Sequence, residues 1–142
     1  MKAIDVALAE YGVKEIVGKQ HNPRIVEYAR IIGHSWITTD ETAWCSIFAN
    51  FVCLKAGLQY SGKLNARSWL NVGNSTKDPK VGDIVVFWRG SPDSWKGHVG
   101  FFIRETKDWT YVLGGNQSNQ VKISAYRKNR VLDYRKLNQL GL

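Results

Sequence analysis

The sequence predicts an α+β fold, with helices in its N-terminal half and an antiparallel sheet in its C-terminal half. Up to Gly57 the apolar residues recur at helical spacing. From Ile84 onward they come in short β-branched and aromatic runs separated by Gly, Asn, Ser and charged clusters. Nowhere do the two patterns alternate as strand, helix and strand, which argues against a parallel doubly wound sheet.

Each element carries its own signals. Ile4, Ala7, Leu8 and Tyr11 fall at i, i+3, i+4 and i+7 and are followed by Gly12, which predicts a short amphipathic helix over residues 2–12. Asn22 as N-cap, Pro23 at the first helical position and Gly33 as a stop bracket a second helix whose apolar set is Ile25, Val26, Ala29 and Ile32. A third, spanning Ala43 to Ala56 and ending at Gly57, places Ile47, Phe48, Phe51 and Val52 on one face and is expected to be central and buried. Pro79 to Asp83 is a turn. Beyond it, Ile84 to Trp88, His98 to Arg104, Thr110 to Gly114, Gln120 to Ser124 and Val131 to Tyr134 read as a meander of strands, with Ser91 to Ser94 as a long hairpin tip.

Composition narrows the class. The chain has 142 residues, 44% hydrophobic and 23% charged, with six Trp, six Tyr and five Phe, which is a packed globule and not a disordered segment. At this length about two-thirds of the chain's surface is buried in one core, so residues 1–142 are expected to form a single domain. Two cysteines are too few for a disulfide framework. The longest apolar runs are strand-sized, and Asp5 and Glu10 lie where a signal peptide needs an apolar run. Synthesis in the cytosol without a signal peptide is therefore expected. Lys plus Arg outnumber Asp plus Glu by 20 to 12, a net charge of +8. Lys122, Arg127, Lys128, Arg130, Arg135 and Lys136 face one anion, Asp133, and predict a positive surface near the C-terminus. Nucleic acid, an anionic envelope or an acidic wall polymer satisfies that charge equally, and so does plain solvation.

Chemistry concentrates at a few positions. Cys53 lies among Phe51, Val52 and Leu54 and reads as a small hydrophobe. Cys45 lies near the start of the same helix, where unpaired N–H groups and the positive dipole end favour thiolate. Eight residues apart on one helix, the two sulfurs cannot form a disulfide. A thiolate nucleophile needs a proton acceptor and donor near neutrality, and histidine suits that task. His21 precedes a helix and His34 ends one. His98 lies at the mouth of a strand between Gly97 and Gly100, where a substrate can approach. The imidazole in turn needs a polar partner to fix its tautomer. Asn116, in Gly114-Gly115-Asn116-Gln117, is the candidate, although Gly-Gly-Asn is also a turn in which Asn takes the left-handed conformation.

Five ordered blocks join these positions: Asp40-Glu41-Thr42-Ala43-Trp44-Cys45-Ser46, Ala66-Arg67-Ser68-Trp69-Leu70, Pro79 to Phe87, Gly97-His98-Val99-Gly100-Phe101, and Gly114-Gly115-Asn116-Gln117-Ser118. Together they span nearly the whole chain. The sequence resembles the CHAP and NlpC/P60 superfamily of papain-like peptidoglycan amidohydrolases, and most of all the small CHAP-like endolysins of phages and prophages. The resemblance implies a papain-like fold with the nucleophile at the start of the central helix, Cys45 as nucleophile, His98 as base and then acid, and Asn116 as the orienting residue. Many CHAP domains carry a Glu two residues before the Asn, where this chain has Gly114.

The residues suggest acyl transfer with no metal or other cofactor, since no His-Glu-x-x-His motif or calcium-loop spacing is present. Asp40 and Glu41 are expected to cap the helix or complement its dipole. Trp44, Trp69, Trp88 and Trp95 are core residues by default. Of these, Trp95 on its polar loop is expected to be exposed, and Trp44 is a candidate for the cleft beside Cys45. Arg67 and Arg89 are candidates for substrate carboxylates. The expected partner is bacterial peptidoglycan on an anionic envelope, met by a monomer in the periplasm or wall after release from the cytoplasm. A catalytically silent wall-binding protein on the same fold is the alternative. A nucleic-acid-binding module would leave Cys45, His98 and Asn116 without a purpose.

Overall fold

A computed structural model describes residues 2–15, 22–34 and 44–140. Helices α1 (Ala3–Ala9), α2 (Pro23–Ile31) and α3 (Cys45–Ala56) precede strands β1 (Asn74–Ser75), β2 (Ile84–Trp88), β3 (Gly97–Glu105), β4 (Trp109–Gln117), β5 (Gln120–Arg127) and β6 (Val131–Lys136). The class is α+β. His21, Asp40 and Glu41 lie outside the described residues.

Local signals place the helix ends. The Asn22 side chain accepts from the Arg24 amide at 2.8 Å, with Pro23 at the first position of α2. At the far end of α3, Gly57 takes φ 73° and the Leu58 amide returns to the Cys53 carbonyl at 2.9 Å, satisfying a carbonyl the helix leaves open. The expectation of one apolar face on α3 understates its burial: every residue from Cys45 to Cys53 is buried. The sheet, through β3 and β4, packs against α3, and so do α1 and α2. The two buried polar residues of α3 are satisfied in place. Ser46 Oγ donates to the Lys63 carbonyl at 2.7 Å and accepts from Trp69 Nε1 at 3.0 Å, while Asn50 accepts from the Gly62 amide at 2.8 Å.

The sheet order is β1-β6-β2-β3-β4-β5, antiparallel throughout. The meander predicted by the sequence holds from β2 to β5. β6 departs from it, crossing back to pair with the other side of β2, and β1 then pairs with β6. β1 has only two residues, too few to show a period, and the 3₁₀ segment Ala66–Asn71 has none either. One face of the sheet meets the helices through Val99, Phe101 and Leu113. The other carries a smaller cluster of Val85, Phe87, Phe102 and Val112.

Several of the cations near the C-terminus are engaged by other groups of the protein. Arg135 pairs with Asp133 at 2.9 Å and donates to the Val72 and Gly73 carbonyls, and Lys128 pairs with Glu105 at 3.2 Å. Arg127 and Arg130 instead lie over the rings of Trp109 and Trp88, at 4.7 and 5.2 Å.

Glu10 fastens α1 to α2. Both its oxygens accept from Arg24, at 2.6 and 3.0 Å, and Tyr28 donates to it at 2.8 Å. The Arg24 hydrogen bonds hold its carboxyl below the usual value of 4.5 against the opposing effect of burial. A depressed carboxyl contributes stability that is present above the unfolded-state pKa and is lost as pH falls through the folded one. Glu10→Gln is therefore expected to lose about 1–3 kcal/mol at neutral pH. In urea unfolding at stepped pH, its difference from the native chain should shrink below the ordinary glutamate range.

Candidate active site

Cys45 is the first residue of α3, two positions nearer the terminus than the expected start at Ala43 implied, with Trp44 in the capping position and no side chain closing the end. Its side chain lies in a nearly closed setting, 7% exposed. Burial pushes its thiol pKa up, while the amides of Val99, Ser46 and Cys45 and the charge of Arg89 pull the other way. The helix terminus was expected to favour thiolate, and here desolvation outweighs it, so the resting group is a thiol. Cys53 is fully buried and its thiol is raised by burial alone; neither cysteine is in a disulfide.

His98 stands opposite Phe87 in the pairing of β3 with β2. Its ring lies 6.2 Å from that of Phe87 and 5.1 Å from that of Tyr126. The Nε2 atom is 2.9 Å from Gln117 Oε1. Which end of the Gln117 amide faces the ring is settled by its surroundings: Nε2 of Gln117 donates to the Val112 and Lys122 carbonyls, at 3.3 and 2.5 Å, and the Tyr126 hydroxyl donates to Oε1 at 3.1 Å. An amide oxygen accepts only, so the imidazole proton sits on Nε2 and Nδ1 carries the lone pair. That Nδ1 is buried with no hydrogen-bond partner. Burial lowers the His98 pKa to about 4, Arg89 acting in the same direction and the Gln117 hydrogen bond opposing.

The imidazole's partner is thus Gln117 and not Asn116. The reason is a bulge: the pairing of β4 with β5 shifts between Gly114 and Gln117, and Asn116 takes φ 58°. The left-handed turn reading of Gly-Gly-Asn is the one observed. Gly114 completes the exchange, because a Cβ there would lie 3.0 Å from Gln117 Oε1 and 3.3 Å from the Val99 carbonyl. Space that a side chain at position 114 would fill is taken by the Gln117 amide reaching back across the bulge. Gly115 serves a different approach, since a Cβ there would lie 2.7 Å from Phe48 Cβ on α3.

Cys45 and His98 belong to opposite faces of the sheet but converge at one end of it. The paired register of β3 with β4 runs from Glu105 only as far as Phe101 opposite Leu113. Past that point the Cys45 sulfur reaches the amide of Val99, the residue after His98, and Cys45 is close enough to Tyr126, the ring against the imidazole, that a thiolate there would raise the Tyr126 pKa. Cys45 also lines an open cleft of about 230 Å³ with Leu64, Asn65, Ala66, Arg89, Trp95, Lys96 and Gly97.

Of the other candidates, Trp95 lies on this cleft and is 77% exposed, as its polar loop predicts. Trp44 does not line it. It is fully buried, its Nε1 donating to Glu15 at 3.3 Å, and belongs to the core with Trp69. Arg67 is not a free substrate contact either, because its guanidinium donates to the carbonyls of Lys96, Pro92 and Ser91 at 2.8, 2.7 and 3.1 Å. His34 Nε2 lies 2.9 Å from the Gly62 carbonyl, and His34 does not line the cleft. The sequence reading missed Gln117 and Tyr126. Gln117 stands in one of the quoted blocks, but strand alternation cannot be counted through a bulge.

Residues 37–116 match the CHAP domain model, a segment that holds Cys45, His98 and Asn116 and stops one residue short of Gln117. No curated protein matches the chain. A family model covering more than half the sequence, on a papain-like arrangement of helices before a six-stranded antiparallel sheet, places the chain in the CHAP domain family, which is of the peptidoglycan hydrolase type.

Proposed function

We propose that this protein cleaves an amide bond of bacterial peptidoglycan by thiol acyl transfer, as a phage-type endolysin, with Cys45 as nucleophile and His98 as base. The observation that carries this reading is the state of the His98 ring: Nε2 is held by Gln117, and a buried Nδ1 is left open beside the strand residue whose amide reaches Cys45. His98 Nδ1 takes the thiol proton as sulfur attacks the amide carbonyl. N–H groups at the start of α3 face the developing oxyanion, which helix termini suit because their first amides have no partner inside the helix. The same proton then passes to the leaving amine, giving a thioester. His98 next draws a proton from water, and hydroxide displaces the sulfur to give a carboxylic acid and the regenerated thiol. Gln117 is the positioning residue throughout, in the place the sequence assigned to Asn116.

The net charge of +8 favours the anionic envelope as the surface on which the enzyme works, reached from the cytoplasm after release, with the protein acting as a monomer. Digestion of purified peptidoglycan followed by mass spectrometry tests the reaction. Fragments carrying one added water across an amide are expected, and the new termini distinguish an N-acetylmuramoyl-L-alanine amidase from an endopeptidase. Binding to peptidoglycan without any such fragment would instead make the protein a silent wall binder.

A further inference from the structure

We propose that Arg89 and Lys96 form a subsite for a free carboxylate, so that the preferred substrate is a peptide bearing an unamidated carboxyl group beside the amide that Cys45 attacks. The proposal rests on the reading of Cys45 as nucleophile. Arg89 and Lys96 line the same cleft as Cys45, and among the described residues lining it there is no Asp or Glu. β2 and β3 pair through Trp88 opposite Gly97, and one step further the Arg89 amide donates to the Lys96 carbonyl at 3.3 Å. The two cations are therefore cross-strand neighbours. Like charges placed so disfavour the hairpin unless an anion lies between them.

No described acid supplies that anion. The Arg89 side chain has no hydrogen bond or ion pair with the described residues, in contrast to Arg67, whose guanidinium is fully engaged a few residues away. Both Arg89 and Lys96 are exposed, so they are hydrated until a ligand arrives. Arg89 is also electrostatically close to the chemistry, since its charge acts on Cys45, His98 and Tyr126 alike. A guanidinium presents a planar fork that matches a carboxylate through two parallel hydrogen bonds, and a neutral carboxamide cannot accept both. Trp95, its ring 5.9 Å from Lys96 Nζ, adds an apolar wall to the same subsite. A peptide branched at an acidic residue supplies this chemistry: one carboxyl is tied up in the chain amide and the other remains free next to it.

Two synthetic stem peptides, identical except that the free carboxylate of one is a carboxamide in the other, test the subsite. The native chain is expected to favour the carboxylate peptide in kcat/KM by about 10-fold to 100-fold. Arg89→Gln should slow cleavage of the carboxylate peptide far more than that of the carboxamide peptide, collapsing the preference, and Arg89→Lys should keep part of it. Calorimetric titration of the Cys45→Ala protein with each peptide reads the subsite independently of turnover, and the same order of affinities is expected. Equal affinity for the two peptides, or a preference that survives in Arg89→Gln, would overturn the carboxylate subsite. Discrimination in binding with no cleavage of either peptide would uphold the subsite and count against Cys45 as nucleophile.

Discussion

Cys45→Ala should fold normally and release no new amine termini from peptidoglycan, a loss of roughly 10³-fold or more in rate. The side chain occupies little volume, and Ala is the better helix former, so the urea midpoint should move little. His98→Ala should lose a similar factor, because without an acceptor the buried, neutral thiol has no route to thiolate. It also leaves a void between Phe87 and Tyr126, so its stability falls where that of Cys45→Ala does not. Measuring rate and unfolding together separates the two causes. A His98→Ala chain that stays folded and fully active would remove His98 from the mechanism. For the native chain, the acid limb of kcat/KM is expected near the lowered pKa of about 4, below the ordinary histidine value of 6.5, since only the neutral ring accepts the thiol proton.

The second large effect separates neighbours. Gln117→Ala should lower kcat by roughly 10²-fold, because the imidazole loses the acceptor that keeps its proton on Nε2. Asn116→Gly, which accepts φ 58° without strain, should remain close to native activity. Gln117→Glu is the informative variant. It keeps an acceptor for the ring but turns an anionic oxygen toward the carbonyls of Val112 and Lys122. A carboxylate against Nε2–H stabilises imidazolium, so the acid limb should move upward in pH, a response that a purely structural role would not produce. Loss of activity in Asn116→Gly with Gln117→Ala intact would reverse the assignment.

The contrast between those two residues shows how far the sequence could be read. Helix ends were legible because Asn22, Pro23 and Gly57 act locally, through a capping side chain, a fixed ring and a left-handed backbone, and the run Ile84 to Trp88 was legible as a buried strand. The proposed nucleophile and base could be named from the sequence because few side chains can perform that chemistry. What was not legible depended on register. The crossing of β6 to the far side of β2 is a long-range pairing with no local signal. The exchange of Asn116 for Gln117 follows from one extra residue in a strand, and such a bulge reverses which side chain faces the ring. Trp44 misled for a simpler reason: adjacency to Cys45 in the chain says nothing about direction, and a residue in the capping position of a buried helix turns inward.

One consequence follows from how Arg67 holds the loop between β2 and β3. Its acceptors at Ser91, Pro92 and Lys96 are all main-chain oxygens, which every amino acid possesses. The anchor is therefore indifferent to the side chains it secures. Within residues 91–96 the Ser94 hydroxyl also shapes the loop, accepting from the Lys96 amide at 3.1 Å. The side chains of Trp95 and Lys96 take no part in that attachment to Arg67, so they can be exchanged to retune what the cleft accepts while the arginine seat from the neighbouring 3₁₀ segment is kept.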